Sequence, residues 1–432
     1  MRFLYNILFN LGFVLSAPYY FLRMQRRGQW RTGFNERFGQ YDGRLKMALT
    51  NRQVIWVHAV SVGEVGLAAE LVRALEARLP DHKLVVSTTT TTGRAELERR
   101  LPAHVSKIYY PIDRRKCVQR AVGSIHPQVM IFVEAELWPN MLWTLQKRRI
   151  PTFLINARIS ERSFRGYRRA GFIFRQLFAG FTGVGVQNDT DARRMAELGV
   201  RPEAIEVMGS LKFDTAQAQG PARLDVAAIL RQVGVGPNAL VLVGGSTHAG
   251  EELILAQLTR RLRVRFPNLF TVIVPRHQER GREIGRELTA HGVNFMFRSE
   301  LTQNLQREPG ELECLVVNTT GELRFFYERA DVVFIGKSLT AEGGQNPIEP
   351  AALGKPVVFG PHMENFPQIV PQFLAQHGAR QVGDEAELGR VVEELLADPA
   401  ARAALGQRGQ AVVRQNQGSL EKTVELIVRS LP

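Results

Sequence analysis

From residue 50 onward, short runs of branched and aromatic residues alternate with longer stretches whose apolar positions recur every three to four residues. Gln53–Val60 (QVIWVHAV) is apolar at nearly every position, the pattern of a strand covered on both faces. Further strands are predicted at Lys83–Thr88, Val129–Val133, Thr152–Ile155 and Gly183–Val186. Helical periods fit between them at Val65–Arg78, Thr91–Arg100 and Asp189–Leu198. The pattern then restarts. Thr215–Pro221 (TAQAQGP) is small, polar and Gly/Pro-containing, hence a predicted linker. Beyond it the spacing predicts strands at Ala239–Val243, Phe270–Ile273, Cys314–Val317, Val332–Ile335 and Pro356–Phe359. Helices are predicted at Glu251–Arg265, Arg280–His291 and Pro347–Leu353, with two more over 385–396 and 400–431. Strands alternating with helices imply an α/β chain with parallel, doubly wound sheets. The expected architecture is two Rossmann-like domains, 23–213 and 214–432, facing a central cleft. The last helix is expected to pack back on the first domain.

The first residues follow a different rule. Phe3–Leu22 is a run without one charged side chain, interrupted by Asn6, Asn10 and Pro18. It is long enough as a helix to cross a ~30 Å hydrocarbon layer. Arg23, Arg26, Arg27 and Arg31 follow at once, and Tyr19 and Tyr20 lie where an interfacial aromatic belt would be. Residues 1–22 are therefore expected to form a membrane anchor that spans the bilayer or lies in its interface. The rest of the chain is expected on the cytoplasmic side.

Charge sharpens that picture. The net charge is +14, and it is not spread evenly. Residues 1–50 hold eight Lys/Arg against two acids, residues 101–180 hold fourteen against four, and the remainder is slightly acidic. Clustered positive charge argues for an anionic partner such as a phosphorylated substrate or a membrane leaflet. The absence of any nucleic-acid-binding module argues against nucleic acid. Hydrophobic residues at 44% and charged residues at 23% exclude a mainly disordered chain. Two distant cysteines exclude a disulfide framework, and nine scattered histidines show no paired ligand spacing. No metal site and no cofactor are expected.

Several loops that follow predicted strands carry chemistry. Gly244–Glu252 (GGSTHAGEE) ends a strand and opens a helix, so amides and hydroxyls at Ser246 and Thr247 suit a phosphate, or else form a capped turn. Pro275–Arg276 ends the next strand with a cation that suits a phosphate or a plain basic surface loop. In Gly343–Ala351 (GGQNPIEPA), Asn346 and Glu349 suit the hydroxyls of a ribose or sugar, or else Asn346 simply caps a helix whose first turn begins at Pro347. In the first half, Glu64 of SVGE and Glu134 of EAELWPN offer carboxylates at strand ends. A partly desolvated carboxylate beside another acid has a raised pKa and suits general base work. The plainer role for Glu64 is to complement a helix amino terminus. Lys212 of GSLKFD precedes the linker and could reach a phosphate or stand free in solvent.

Eight strings in order, VHAVSVGE, EAELWPN, INARIS, GSLKFD, GGSTHAGEE, PRHQER, GEL and GGQNPIEPA, resemble the 3-deoxy-D-manno-octulosonic acid (Kdo) transferases of Gram-negative bacteria. The resemblance spans almost the whole chain. It implies a GT-B glycosyltransferase of lipopolysaccharide biosynthesis. Such an enzyme moves Kdo from CMP-Kdo to the lipid A precursor with inversion, metal-independently, at the inner membrane. It implies Glu64 as general base, with Glu134 and Lys212 supporting the transition state. It places CMP against Pro275 and Arg276, Thr320, Gly321 and Glu322, and Asn346, Pro347, Ile348 and Glu349. The competing expectations are another GT-B nucleotide-sugar enzyme, a UDP-sugar transferase or epimerase, and a membrane-anchored polyanion-binding protein without activity.

Overall fold

The computed structural model describes residues 2–26, 31–134, 137–215, 224–302 and 305–431. The predicted linker lies mostly outside the described residues, as do Arg27 and Glu136. The described chain divides into two compact units, 1–215 with 417–432, and 216–416.

The first unit holds seven strands: β1 (Gln53–His58), β2 (His82–Thr88), β3 (Ser106–Tyr109), β4 (Val129–Val133), β5 (Thr152–Ala157), β6 (Gly183–Val186) and β7 (Ile205–Val207). Their order is β3-β2-β1-β4-β5-β6-β7, every pairing parallel. Side chains of β1 alternate between two cores. Val54 and Trp56 join Met130, Phe132 and Leu154 on one face, while Ile55 and Val57 join Val86, Ile131 and Phe153 on the other. Helices cover both faces, which is why the strands read as continuous apolar runs. The Trp56 indole, fully buried, donates to Ser87 Oγ at 2.8 Å. The chain winds outward from β1 to β3, then returns to place β4 on the other side of β1. The point between β1 and β4 is the topological switch.

The second unit repeats the plan with β8 (Leu240–Thr247), β9 (Leu269–Pro275), β10 (Phe295–Phe297), β11 (Cys314–Val316), β12 (Val332–Ile335), β13 (Val357–Phe359) and β14 (Arg380–Gln381). The order is β10-β11-β9-β8-β12-β13-β14, again all parallel. Here the switch lies between β8 and β12.

Two expectations change. The final predicted helix is two helices, Pro399–Gln415 and Ser419–Val428, separated at Gly418, whose φ of 95° ends the regular run. The second of them belongs to the first unit. Asp214 accepts from the Gly418 amide at 2.7 Å and the Leu420 amide at 3.3 Å, and the Ser419 hydroxyl donates to the Met208 carbonyl at 2.7 Å.

The spanning reading of the amino terminus is also corrected. Residues Arg2–Arg26 form one helix, α1, but among the described residues no helix is long and apolar enough to cross a membrane. The polar positions that dilute α1 face the protein. Tyr5 donates to Asp113 Oδ2 at 2.8 Å, Asn6 pairs with Asn140, and Asn10 accepts from Arg114 at 2.9 Å. Phe9 and Tyr5 pack edge-on against Trp138 and Trp143. The opposite stripe carries Phe3, Leu8, Leu11, Val14 and Leu15, each more than half exposed.

Candidate active site

In the first unit the loops after β1 and β4 flank the switch point, and each delivers a carboxylate. Ser61 caps the helix Val62–Arg78, its hydroxyl oxygen accepting from the Glu64 amide at 3.2 Å. Glu64 returns the contact. Its Oε2 accepts from the Val60 amide and its Oε1 from the Ser61 hydroxyl, both at 2.8 Å. This reciprocal arrangement is a variant of the capping box in which Glu64 reaches the amide of the residue before the cap, so Glu64 does complement the helix end. It is also half-buried, and burial pushes its carboxyl above the ordinary range. The Val60 and Ser61 hydrogen bonds oppose that rise, and the charge of Glu134 adds to it. The net direction is the one a base that must hold a proton requires.

Glu134 follows β4 with φ at +62°, a left-handed conformation that a non-glycine residue adopts only when its surroundings impose it. Its amide donates to the Ile155 carbonyl at 2.9 Å, tying the turn to the end of β5. The next residue along β5, Asn156, is buried and also left-handed, with φ at +51°. Asn156 Nδ2 donates to Glu134 Oε1 at 3.4 Å, while its Oδ1 accepts from the Leu211 amide at 3.1 Å. That second bond fixes the short helix Leu211–Thr215, which carries Lys212. Burial pulls the Lys212 ammonium below its usual range, and Arg158 adds to the fall. Glu134 and Glu64 both act in the opposite direction. Thus Asn156 ties Glu134 to the helix that carries Lys212, and the charges of Glu64 and Glu134 both favour the ionised Lys212.

Asn156 had no role in the sequence reading. The signal was present: an amide side chain at the end of an otherwise apolar strand, inside INARIS, is a buried polar group that needs partners. Arg158, two residues on, was missed for the same reason.

In the second unit the loops after β8, β9, β11 and β12 emerge at the carboxyl edge of four adjacent strands. Arg276 is exposed there, its amide donating to the Thr247 carbonyl at 3.0 Å, and among the described residues its guanidinium has no ion pair. Thr320 and Gly321 are exposed after β11, with Gly321 at φ +82°. Glu322 is held by Arg298 at 3.0 Å. Asn346 accepts from the Ile348 amide at 3.1 Å, and its Nδ2 donates to Glu349 at 3.4 Å, so the two polar side chains are oriented together. Pro347 and Ile348 are buried beneath them.

The Gly244–Glu252 string is differently employed than expected. Ser246 sits in a left-handed turn at φ +56°. Thr247, however, is fully buried and gives its hydroxyl to Glu252 at 3.0 Å, which in turn holds Arg280 at 2.8 Å. Glu251 accepts from the amides of Lys337, Ser338 and Leu339 at 2.7–3.0 Å, filling an amide nest with the protein's own carboxylate. Gly245 is glycine because Tyr327 leaves no room for a Cβ. Most of this string therefore builds the unit, and Ser246 alone keeps a turn position.

Two seven-stranded, all-parallel α/β units give the architecture of a GT-B fold. Solved structures agree. A UDP-GlcNAc 2-epimerase from Neisseria meningitidis superposes with a TM-score of 0.58 over 88% of this chain and 100% of its own, at 12% identity. A glycosyltransferase from Rickettsia africae ESF-5 also gives 0.58, over 88% and 98%, at 12% identity. At such identities the likeness concerns the fold alone, and it does not favour an epimerase. Sequence is more specific. The model of the 3-deoxy-D-manno-octulosonic-acid transferase family matches residues 32–215. The 3-deoxy-D-manno-octulosonic acid transferase of Haemophilus influenzae is 31% identical over 99% of this chain and 98% of its own. That of Bordetella pertussis is 32% identical over 95% and 96%. The chain belongs to the 3-deoxy-D-manno-octulosonic acid transferase family.

Proposed function

We propose that this protein transfers Kdo from CMP-Kdo to a hydroxyl of the lipid A precursor, in lipopolysaccharide biosynthesis, with inversion and without a metal. Membership of the family supports the sugar transferred. The observation that carries the chemistry is that Glu64 and Glu134 stand in the loops after β1 and β4 at the switch point of the first unit, with Asn156 joining Glu134 to the short helix that carries Lys212. The acceptor oxygen forms the new bond to the anomeric carbon of Kdo as the bond to CMP breaks. Glu64 takes the proton from that hydroxyl, and CMP departs with the bonding electron pair. The half-buried charge of Lys212 supports the charge that develops, and Glu134, held by Asn156, favours the ionised form of Lys212. In the second unit, exposed Arg276 receives the CMP phosphate, and Asn346 with Glu349 receives ribose hydroxyls. Thr320, Gly321 and Glu322 complete the nucleotide side.

The acceptor is a lipid, and α1 gives the chain a way to reach it. Its outward stripe of Phe3, Leu8, Leu11, Val14 and Leu15 fits a helix lying in the membrane interface, with its polar face retained by the protein. On this reading the enzyme works at the cytoplasmic face of the inner membrane. Incubating the protein with CMP-Kdo and lipid A precursor and weighing the products tests the reaction. A mass gain of one or more Kdo residues is expected. An unchanged acceptor with intact CMP-Kdo contradicts it.

A further inference from the structure

Beside α1 the first unit has an open pocket of about 520 Å³ lined by half-buried Arg2 and exposed Arg114, Arg115, Lys116 and Arg120, together with Asn6 and Asn10. No acidic side chain lines it. Among the described residues none of its five cations makes an ion pair, and the neighbouring Asp113 carboxylate is turned inward to Tyr5 and the amides of Asn140 and Met141. Arg2 is the most unusual of the five. Its Nε and Nη2 are shut off from solvent yet have no hydrogen-bond partner, while the guanidinium stacks 5.6 Å from the centre of the Trp143 ring. Buried donors without acceptors are costly unless something else supplies the acceptor.

The floor of the cavity is the start of the helix Arg115–Ile125. That helix has eleven residues, no side-chain cap and no acidic residue in its first turn. Its free amides and dipole add positive potential to that of the side chains. A protein that only needed a stable surface would place Asp, Ser or Glu there. Instead the chain assembles five mutually repelling cations, an uncapped helix end and an unsatisfied guanidinium around one cavity. All three features are met by one ligand chemistry, a phosphate oxygen cluster. The wall next to it is apolar: Phe3 lines the same cavity and is 80% exposed on the outward stripe of α1.

We infer that this cavity is a binding site for the phosphate group of a membrane lipid, whose acyl chains lie along the outward stripe of α1. The inference rests on the interfacial reading of α1 given above and adds a discrete headgroup site to it. The phosphate has two sources, an anionic phospholipid of the bilayer or the glycolipid acceptor itself, and the two arms of one experiment separate them.

In the first arm the full-length protein is sedimented with vesicles of phosphatidylcholine alone, and of phosphatidylcholine with phosphatidylglycerol at a ratio of about 7:3, in ~0.1 M salt. The Arg115→Gln/Lys116→Gln variant is compared with Lys147→Gln/Arg148→Gln, a charge-matched pair exposed on the same unit outside the cavity. If a bilayer phospholipid fills the site, the first pair loses about 30-fold of the phosphatidylglycerol-dependent binding and the control changes little, since each cation near an anionic surface is worth about fivefold. In the second arm the acceptor KM is measured in detergent with phosphorylated and dephosphorylated acceptor. If the acceptor's phosphate fills the site, the cavity pair raises KM for the phosphorylated form alone. Arg120→Gln, in the lining of the same pocket, is expected to shift the same quantity in the same direction. Melting temperatures of these variants are expected to equal or exceed that of the unmodified protein, because like charges are being removed. Equal losses for cavity and control pairs, with KM unchanged, would overturn the inference in favour of diffuse attraction. An unmodified protein that transfers no Kdo yet shows the vesicle effect would overturn the proposed function and leave the lipid site standing.

Discussion

The Glu64 carboxyl accepts two hydrogen bonds that favour its charged form, yet burial and Glu134 still hold its pKa above the ordinary range. Two consequences follow at this scale. Transfer requires the ionised base, so the rate falls as pH drops through that raised pKa. Replacing Glu134 by Gln removes one of its causes, and the acid limb of the pH–rate profile is expected to move to lower pH, as a pH series on kcat/KM would show. Folding, by contrast, favours the protonated form: the stability it lends is present below the unfolded pKa and is lost as pH rises through the folded one. Asn156 is the second residue to test. Asn156→Ala leaves the Leu211 amide without its acceptor and Glu134 without its donor, so unfolding is expected to become easier by about 1–3 kcal/mol, with a lower kcat. Chemical denaturation and turnover on the same sample check both. Glu64 and Glu134 stood out in the sequence because each follows a recognisable strand, and Lys212 because GSLKFD precedes the predicted linker. The tie from Glu134 to the Lys212 helix was not legible there, since it runs through an amide 22 residues from Glu134 and 56 from Lys212.

At the scale of elements, every interior strand of both sheets was visible as an apolar run, and the four that were not are the four edges, β3, β7, β10 and β14. The cause is physical. Central strands are covered on both faces and must be apolar throughout, whereas edges are short and half-wet, as Ile205–Val207 and Arg380–Gln381 are. The amino-terminal run shows the converse error. An uncharged stretch of spanning length reads as a bilayer helix until Tyr5, Asn6 and Asn10 are seen bonded to Asp113, Asn140 and Arg114. Only the outward stripe is left for lipid. Leu8→Asp and Leu11→Asp, on that stripe, are expected to weaken binding to phosphatidylcholine vesicles by at least about tenfold each, since burying a leucine is worth about 1.5–3 kcal/mol. Folding is expected to survive, because these side chains touch solvent. Unchanged vesicle binding would leave α1 without a membrane role.

Across the whole molecule the two units repeat one plan, and the proposed function divides the labour between them: the acid–base group and the helix α1 in the first, the loops proposed to hold CMP in the second. The nucleotide preference follows from that division. CMP is expected to raise the melting temperature more than UDP at equal concentration, and Arg276→Ala to cost about 1.5–3 kcal/mol of CMP binding by calorimetry, the range for a lost charge-assisted hydrogen bond. The repeated strand pattern and the glycine loops made the fold readable in advance. Of the two readings of Gly244–Glu252, phosphate cradle or structural turn, the internal bonds favour the turn for most of the string: Glu251 and Glu252 spend that geometry on Lys337–Leu339 and Arg280. The central claim, that Glu64 is the base for Kdo transfer, rests on one substitution. Glu64→Gln keeps the shape and an acceptor oxygen for the Val60 amide but cannot take a proton. Its single-turnover transfer from CMP-Kdo to the lipid A precursor is predicted to fall by about 10²–10⁴-fold, while its melting temperature and CMP affinity stay close to those of the unmodified protein. A variant that loses only the ~0.3–1 kcal/mol of a helix-end contact and still transfers Kdo at the original rate would contradict the account.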